Sequence, residues 1–407
     1  MAGLSLCLVV ATGLVAWWLT DDDVYVAPTP PPAAHSISPG LAAQTLADFR
    51  SAVRTRDLDA ARALAPADDP PAADLLAAVV RNAADLRVAD FEMRYVDAEG
   101  ALGEDGTWSA VVDASWRFAG FDRAPGRAEV TVGLRQDGDR VALTGFGGGD
   151  RVSPLWLSGP LQVRRTARTL VLVDGPASVA DRYARRAAAA VPVVRRVLPD
   201  WDRGLVVEVP GSVDELDRAL DAEPGTYDQI AAVTTSTDGS LAPDAPVHVF
   251  VNPDVYAGLR PTGAQVVMSH EATHVAAGAW TSQMPLWLLE GFADYVALRD
   301  VDLPVSRSAA QVIAEVRRSG PPRALPGAAE FGTRATHLGA TYESAWLACR
   351  LLAQEGGQDG LVRFYRAVDG GRPVGAALES VFGLSTRELT ARWRSLLADL
   401  ALPQSSG

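Results

Sequence analysis

The strongest restriction on the fold of this chain comes from two histidines that stand four residues apart. His270 and His274, with Glu271 directly after the first, lie in a run of small and aliphatic residues, 263–277, which predicts a mostly buried helix. Positions i and i+4 share one face of an α-helix, so both imidazoles can bind one metal ion, and Glu271 can face a water molecule beside it. Buried polar side chains need partners, and a metal ion supplies them.

Two histidines alone do not complete a catalytic zinc site, which has three protein ligands and one position left for water. One common continuation of this motif places Gly at position 277 and His at position 280. The chain has Ala277 and Trp280 there, so that class of site is excluded. The other common solution is a glutamate from the next helix.

The next predicted helix carries a suitable glutamate. Its apolar run starts at Pro285, a residue suited to the first turn of a helix, and contains Glu290 and, one turn later, Asp294. Two carboxylates at i and i+4 repel each other unless a cation or a donor lies between them. We therefore predict Glu290 as the third metal ligand. We predict that Asp294 accepts the spare ring N–H of a ligand histidine and so fixes its tautomer.

These segments resemble the gluzincin metallopeptidases, and within them the peptidase MA-like domains. The resemblance covers about residues 168–400 and rests on the motifs His270-Glu271-x-x-His274 and Trp287-x-x-Glu290-Gly291-x-Ala293-Asp294-Tyr295. It implies a zinc metalloendopeptidase with Zn²⁺ as cofactor, the three predicted ligands, Glu271 as general base, and a protein or peptide as substrate.

The chain departs from the family pattern in one spacing. Glu290 follows His274 by sixteen residues, which is closer than in thermolysin and the large aminopeptidases. The loop between the two metal helices is therefore expected to be short. No Gly-x-Met-x-Asn motif of the aminopeptidases is visible, so the resemblance does not imply exopeptidase activity.

A zinc peptidase also needs a group that stabilises the negative charge on the oxygen of the reacting carbonyl. Family members carry a Tyr or a His for this purpose on a later helix. Tyr342 lies at the start of a predicted helix that runs to Leu352, and we favour it as the catalytic residue. His337 is the alternative for this oxyanion or for a substrate contact.

Residues 1–23 contain an apolar run, 4–19, that ends in paired tryptophans and is followed by three aspartates. Its length of about 24 Å is slightly short for a membrane core of about 30 Å, but tryptophans suit the membrane interface. We favour an uncleaved single-pass anchor with the catalytic part extracytoplasmic over a cleaved signal peptide and secretion. A proline-rich linker, 24–37, would hold the folded part away from the membrane.

Residues 38–150 are predicted to form an α+β domain. Two helices, 41–64 and 72–86, precede four segments of alternating polarity, at 91–96, 108–118, 128–134 and 141–146. This alternation, with Gly and Asp turns between the segments, predicts an antiparallel meander, and helices on such a curved sheet form a cone. The pattern resembles the cystatin-like domains of the nuclear transport factor 2 kind. It contains no catalytic cluster.

After a connector, 151–167, residues 168–407 are predicted to form the metal-binding domain, with a small sheet over the two metal helices and a helical C-terminal lobe. In gluzincins the strand beside the cleft is a sheet edge that pairs with an extended substrate. Either 230–235 or 247–251 would take this role. His248 lies in the second of these strands, and we interpret it as an ordinary surface histidine or an internally satisfied one.

Charge and cysteine content limit the other functions. The chain of 407 residues has a net charge of −13, which argues against nucleic-acid binding. Cys7 and Cys349 lie in separate predicted segments, so no disulfide is expected. Two alternatives to a peptidase remain: a catalytically silent zinc-containing protein that binds a cell-envelope partner, and a hydrolase of a non-peptide amide.

Overall fold

The computed structural model of the protein describes residues 37–332 and 336–402. The described residues from Ser38 onward form one compact unit. The predicted anchor, 1–23, and Cys7 lie outside the described residues, and so does the proline-rich linker apart from Ile37. Within the two described ranges, no helix combines the length and the apolarity that crossing a membrane requires.

Helices and an antiparallel sheet make up the first part of the described chain. Its elements are α1 (Pro39–Thr55), α2 (Leu58–Arg62), α3 (Pro70–Leu86), β1 (Val88–Glu99), β2 (Thr107–Phe118), β3 (Gly126–Asp137) and β4 (Arg140–Phe146). The strand order β1-β2-β3-β4 is the predicted meander. Helices α1 and α3 pack on this sheet and bury Phe49 and Leu76 completely. The expected α+β class is confirmed.

The single helix expected over 41–64 is interrupted. Arg56 adopts the left-handed conformation, with φ of 59°. The Asp57 carboxylate then accepts hydrogen bonds from the N–H groups of Asp59 and Ala60. Because Asp57 caps a new helix in this way, the chain begins α2 at this point instead of continuing α1.

The second part contains a five-stranded mixed sheet. Its strands are β5 (Gln162–Arg165), β6 (Thr169–Val173), β7 (Leu205–Val209), β8 (Ala232–Ser236) and β9 (Val247–Val251), and the accompanying helices are α4 (Leu155–Ser158), α5 (Ala177–Arg195) and α6 (Val213–Ala219). The strand order is β5-β6-β7-β9-β8. Strand β5 lies in the segment expected as a connector and pairs antiparallel with β6. The two candidate edge strands, 230–235 and 247–251, correspond to β8 and β9. β8 lies at the edge of the sheet, and β9 lies in its interior.

Helices form the remainder of the described chain. They are α7 (Pro253–Ala257), α8 (Pro261–Ala277), α9 (Leu286–Leu298), α10 (Val305–Ser308), α11 (Ala310–Ser319), α12 (Leu338–Asp369), α13 (Val374–Phe382) and α14 (Thr386–Ala401). Helix α12 is kinked at Gly357, where φ is 71°. Helix α9 lies directly against α12 at Gly291. The two helices are so close there that a Cβ at this position would collide with the main-chain oxygen of Ala345. Cys349 is free and buried at this contact.

A buried group of charged side chains joins the two sheets. His248 on β9 is completely buried; its Nδ1 lies 2.6 Å from Oε1 of Glu208 on β7, and its Nε2 lies 3.0 Å from Oδ1 of Asp122, between β2 and β3. The ring stacks on Phe118, with 5.3 Å between centroids. Burial lowers the pKa of His248, but Asp122 and Glu208 outweigh burial and raise this pKa to about 9. His248 is therefore the internally satisfied histidine of the two interpretations.

We expect His248 to make the stability of the protein depend on pH. Its pKa is about 9 in the folded chain and about 6.5 in an unfolded one. Its stabilising contribution is therefore fully present below about pH 6.5 and is lost as the pH rises through about 9, which removes roughly 1–3 kcal/mol from the free energy of unfolding. Urea denaturation across this pH range measures the loss. A His248→Gln variant should be less stable at the lower pH and show a flatter pH dependence, whereas parallel curves would contradict this role.

Candidate metal centre

Helices α8 and α9 bring the predicted ligands together. Pro261 occupies the first turn of α8, where a missing N–H is tolerated. The helix ends at Gly278, which has φ of 74° and donates its N–H to the main-chain oxygen of His274. A short 3₁₀ helix, Ala279–Thr281, follows, and α9 begins after Pro285. The loop is short, and α8 packs against α9.

Three side-chain atoms converge between these two helices. Nε2 of His270 lies 3.0 Å from Nε2 of His274 and 3.1 Å from Oε2 of Glu290. Nε2 of His274 lies 3.3 Å from the same carboxylate oxygen. Within the described part of the chain, this is the one group of His, Cys, Asp and Glu side chains whose ligand atoms lie close enough together to hold a metal ion.

The triangle has the size that a small metal ion requires. With metal–ligand bonds of about 2.0–2.1 Å, two ligands of a tetrahedral zinc ion lie about 3.3 Å apart. The three separations are close to this value. Two imidazoles and one carboxylate are also a donor set found in catalytic zinc sites, which have three protein ligands. The residues present therefore fit zinc.

The charges of the cluster favour a cation at its centre. Nδ1 of His270 lies 2.7 Å from Oδ1 of Asp294, so this nitrogen donates to the carboxylate and Nε2 remains for a metal bond. Burial lowers the pKa of His270, but Asp294 and Glu290 raise it well above its ordinary value. Burial raises the pKa of Glu290, but His274 and His270 hold it far below its ordinary value. Two half-buried carboxylates, those of Glu290 and Asp294, thus favour positive charge between them, which a divalent ion supplies more fully than a proton.

Glu271 lies on the same helix as the two histidines and is fixed to the sheet. It is buried, and its Oε2 accepts a hydrogen bond of 2.7 Å from the hydroxyl of Thr234 on β8. The same hydroxyl lies 3.2 Å from the main-chain oxygen of Glu271. This contact holds one carboxylate oxygen in place and leaves the other for a water molecule.

Tyr342 lies at the start of α12 beside the ligand cluster. Its ring centroid is 6.1 Å from that of His270, and the ring of Phe331 packs against it edge-on at 5.3 Å. Burial raises the pKa of the Tyr342 hydroxyl far above its ordinary value, and the carboxylates of Glu290 and Glu271 raise it further. The hydroxyl therefore stays protonated and can act as a hydrogen-bond donor.

His337, the alternative to Tyr342, lies elsewhere. Its side chain is 59% exposed, and its Nδ1 lies 3.5 Å from Oε2 of Glu315 on α11. The structure places His337 beside this carboxylate and does not bring it to the ligand cluster.

Strand β8 presents backbone groups to the free side of its sheet. The N–H of Thr237 donates to the main-chain oxygen of Pro246, at the end of the β8–β9 pair. Because hydrogen-bonded pairs alternate along an antiparallel ladder, the N–H and C=O groups of Ala232, Thr234 and Ser236 point away from β9. β8 is the edge of the sheet, so these groups face no partner strand. Thr234 is half-buried, whereas Ala232 and Ser236 are buried.

Thr234 is the residue of this site that the sequence did not single out. It lies in the segment 230–235, one of the two candidate edge strands. A hydroxyl side chain in a strand beside the metal helices could have indicated a contact with Glu271. The contact itself joins residues 37 positions apart, and no pattern in the sequence specifies that pairing.

Comparisons with known proteins identify no family for the chain. No family model matches it, and no curated protein matches it. Among solved structures, the chain is similar to a mutant of a two-domain M1 zinc metallopeptidase bound to L-arginine, with 16% sequence identity and a TM-score of 0.30. The match covers 67% of this chain and 60% of that one.

Proposed function

We propose that the protein is a zinc-dependent metalloendopeptidase that hydrolyses peptide bonds. One observation carries the proposal: the helix that supplies two of the three convergent ligand atoms also carries a buried carboxylate, Glu271, which is hydrogen-bonded to Thr234 on the edge strand β8. A purely structural zinc site needs no such carboxylate, whereas hydrolysis requires a base at this position.

The ligands, the base and their supports have separate tasks. When bound by the three ligands, Zn²⁺ lowers the pKa of water toward about 7 and polarises the carbonyl that is attacked. Asp294 orients His270 through the ring N–H. Glu271 accepts the proton of the attacking water and transfers it to the leaving amine. The hydroxyl of Thr234 keeps the Glu271 carboxylate oriented during both transfers.

Two further elements position the substrate. The outward N–H and C=O groups of β8 would pair with the backbone of an extended peptide, which places a peptide bond beside Glu271. The protonated hydroxyl of Tyr342 would donate to the carbonyl oxygen as negative charge develops on it. Backbone pairing of this kind recognises peptides without requiring a particular side chain.

The predicted anchor leads us to propose that the enzyme is tethered to the membrane and acts outside the cytoplasm, with secretion after cleavage as the alternative. Residues 1–23 and the linker 24–37 support this proposal by their composition. Fractionation of cells that produce the chain would test it, since recovery of the full-length protein from the cytosol would exclude both locations.

Removal of metal is expected to abolish peptide cleavage, and addition of zinc to restore it. The purified full-length chain should contain stoichiometric zinc by elemental analysis and should cleave denatured-protein peptides. Dialysis against a zinc chelator should remove both zinc and activity, because three side chains cannot activate water without the ion. If the protein contains stoichiometric zinc but cleaves no peptide, the proposed peptidase activity is wrong, and the result favours a catalytically silent binding protein. Mass spectrometry of products separates peptide hydrolysis from hydrolysis of another amide.

A further inference from the structure

A cavity of about 690 Å³ lies where the first sheet meets the end of β8. One wall is 235–237, at the carboxyl end of β8, and another includes Arg127 and Glu129 of β3. The two sheets touch here, since a Cβ at Gly126 would lie 2.7 Å from Oγ1 of Thr237. This hydroxyl is buried in the contact between the sheets and has no hydrogen-bond partner among the described residues.

The cavity continues the line of the proposed substrate cleft. Thr234, which bonds to Glu271, directly precedes residues 235–237 of the wall. Strand residues follow each other at about 3.3 Å, so the wall extends from about 3 to about 10 Å beyond Thr234. A peptide that pairs with β8 opposite Thr234 therefore reaches the cavity within about two to four residues.

The direction of the paired peptide decides which of its ends enters the cavity. Antiparallel pairing is slightly more stable per residue than parallel pairing. β8 runs from Ala232 toward the cavity, so an antiparallel partner runs from the cavity toward Glu271. The residues that occupy the cavity are then those on the amino-terminal side of the scissile bond.

The lining of the cavity carries excess negative charge. It includes five carboxylates and two guanidinium groups. One guanidinium, that of Arg151, is already paired with Glu99 at 2.5 Å and Glu129 at 3.7 Å. The other carboxylates, which include Asp221 and Asp238, therefore outnumber the remaining guanidinium and attract a cation.

We propose that this cavity binds a cationic side chain, Arg or Lys, two to four positions before the scissile bond, and that the first sheet thereby takes part in substrate selection. This inference rests on the proposed peptidase function. Because the cavity is open to water, the preference for a cationic over a neutral residue is expected to be modest, about 3- to 10-fold in kcat/KM.

Cleavage profiling tests the inference directly. The full-length zinc-loaded chain, in detergent micelles, is incubated with a synthetic peptide library randomised at four positions on each side of a central bond. We expect Arg and Lys to be enriched on the amino-terminal side of the cleaved bond, at the second to fourth positions. A flat profile at these positions, or an enrichment confined to the carboxyl-terminal side, would overturn the proposal.

A charge-removing variant links the preference to the cavity. Asp221→Asn combined with Asp238→Asn removes two of the lining charges, and both positions tolerate Asn: Asp221 has φ of 52°, and the Asp238 side-chain oxygen accepts from the N–H of Ser240, as an amide oxygen would. In this variant, kcat/KM for peptides with Arg or Lys at the second to fourth positions should become about equal to that for peptides with a neutral residue there. Peptides with Ala at these positions should be cleaved as before. Asp139→Asn, at the exposed turn after β3, removes a charge outside the lining and should keep the preference. A preference retained in the double variant would refute the cavity as its source.

A binding measurement separates this inference from the proposed function. Fluorescence anisotropy compares a labelled peptide with two Arg residues and its counterpart with Gln at the same positions, on the wild type and the double variant. We expect the Arg peptide to bind more tightly to the wild type only. If the chain cleaves nothing but shows this difference, the peptidase proposal fails and the cation-binding cavity stands. If the chain cleaves peptides but binds the Arg and Gln peptides equally well, the peptidase proposal stands and the proposal of a cation-binding cavity is refuted.

Discussion

Replacement of Glu271 with Gln is expected to reduce kcat/KM for peptide hydrolysis by at least about 10²–10⁴-fold, the usual contribution of a general base. The amide has the same shape as the carboxylate and can still accept the hydrogen bond from Thr234, so the fold and the ligand cluster should be unchanged. What is lost is the capacity to take a proton from water. Steady-state kinetics on a cleaved peptide and elemental analysis of zinc measure both quantities.

The matched control is Glu379→Gln, which makes the same substitution at an exposed position of α13. It should retain wild-type activity and zinc. Full peptidase activity in Glu271→Gln would reject the assignment of the base. Loss of zinc in that variant would also contradict the site, because Glu271 is not one of the three ligands.

Replacement of Glu290 with Ala is expected to abolish stoichiometric zinc binding, and hydrolysis with it. Only His270 and His274 would remain as ligands, and a catalytic zinc ion needs three. The carboxylate is also the negative partner that the two imidazoles face at 3.1 and 3.3 Å, so its removal disfavours a divalent ion electrostatically. Zinc affinity is measured by competition with a chelator of known strength, and circular dichroism checks that the chain is folded.

Asp294→Asn is the graded comparison for this prediction. Asp294 touches His270 but is outside the ligand triangle, and loss of such an outer partner costs roughly 10–100-fold in metal affinity. The loss in Glu290→Ala should be clearly larger. Wild-type zinc affinity in Glu290→Ala would remove the third ligand from the site and with it the proposed mechanism.

The metal centre was the part of the molecule most accessible from the sequence. His270, Glu271 and His274 stand at a spacing that helix geometry alone places on one face. Glu290 and Asp294 form a second pair of the same kind on an apolar helix, where buried carboxylates demand partners. Local periodicity therefore predicted the two helices, their inward faces and the ligand set that the structure brings together.

The sequence could not specify contacts between distant segments. His248 lies 40 positions from Glu208 and 126 positions from Asp122, and an alternating strand pattern gives no sign of such partners. The same limit explains why the sequence favoured Tyr342 but left His337 open as an alternative. Both residues lie near the start of the same helix, and only packing places one ring by His270 and the other by Glu315. The break after α1 depended on a single capping carboxylate, that of Asp57.

The residue next to Glu290 has a consequence for the reach of the catalytic groups. Because Gly291 has no side chain, the helix that carries the third ligand comes into main-chain contact with the helix that begins near Tyr342. In the proposed function, the separation between a zinc ion held by Glu290 and the phenol of Tyr342 would therefore depend on the absence of a side chain at this position. Any widening of that helix contact would lengthen the distance between two groups that must act on one atom, even though neither group had itself been altered.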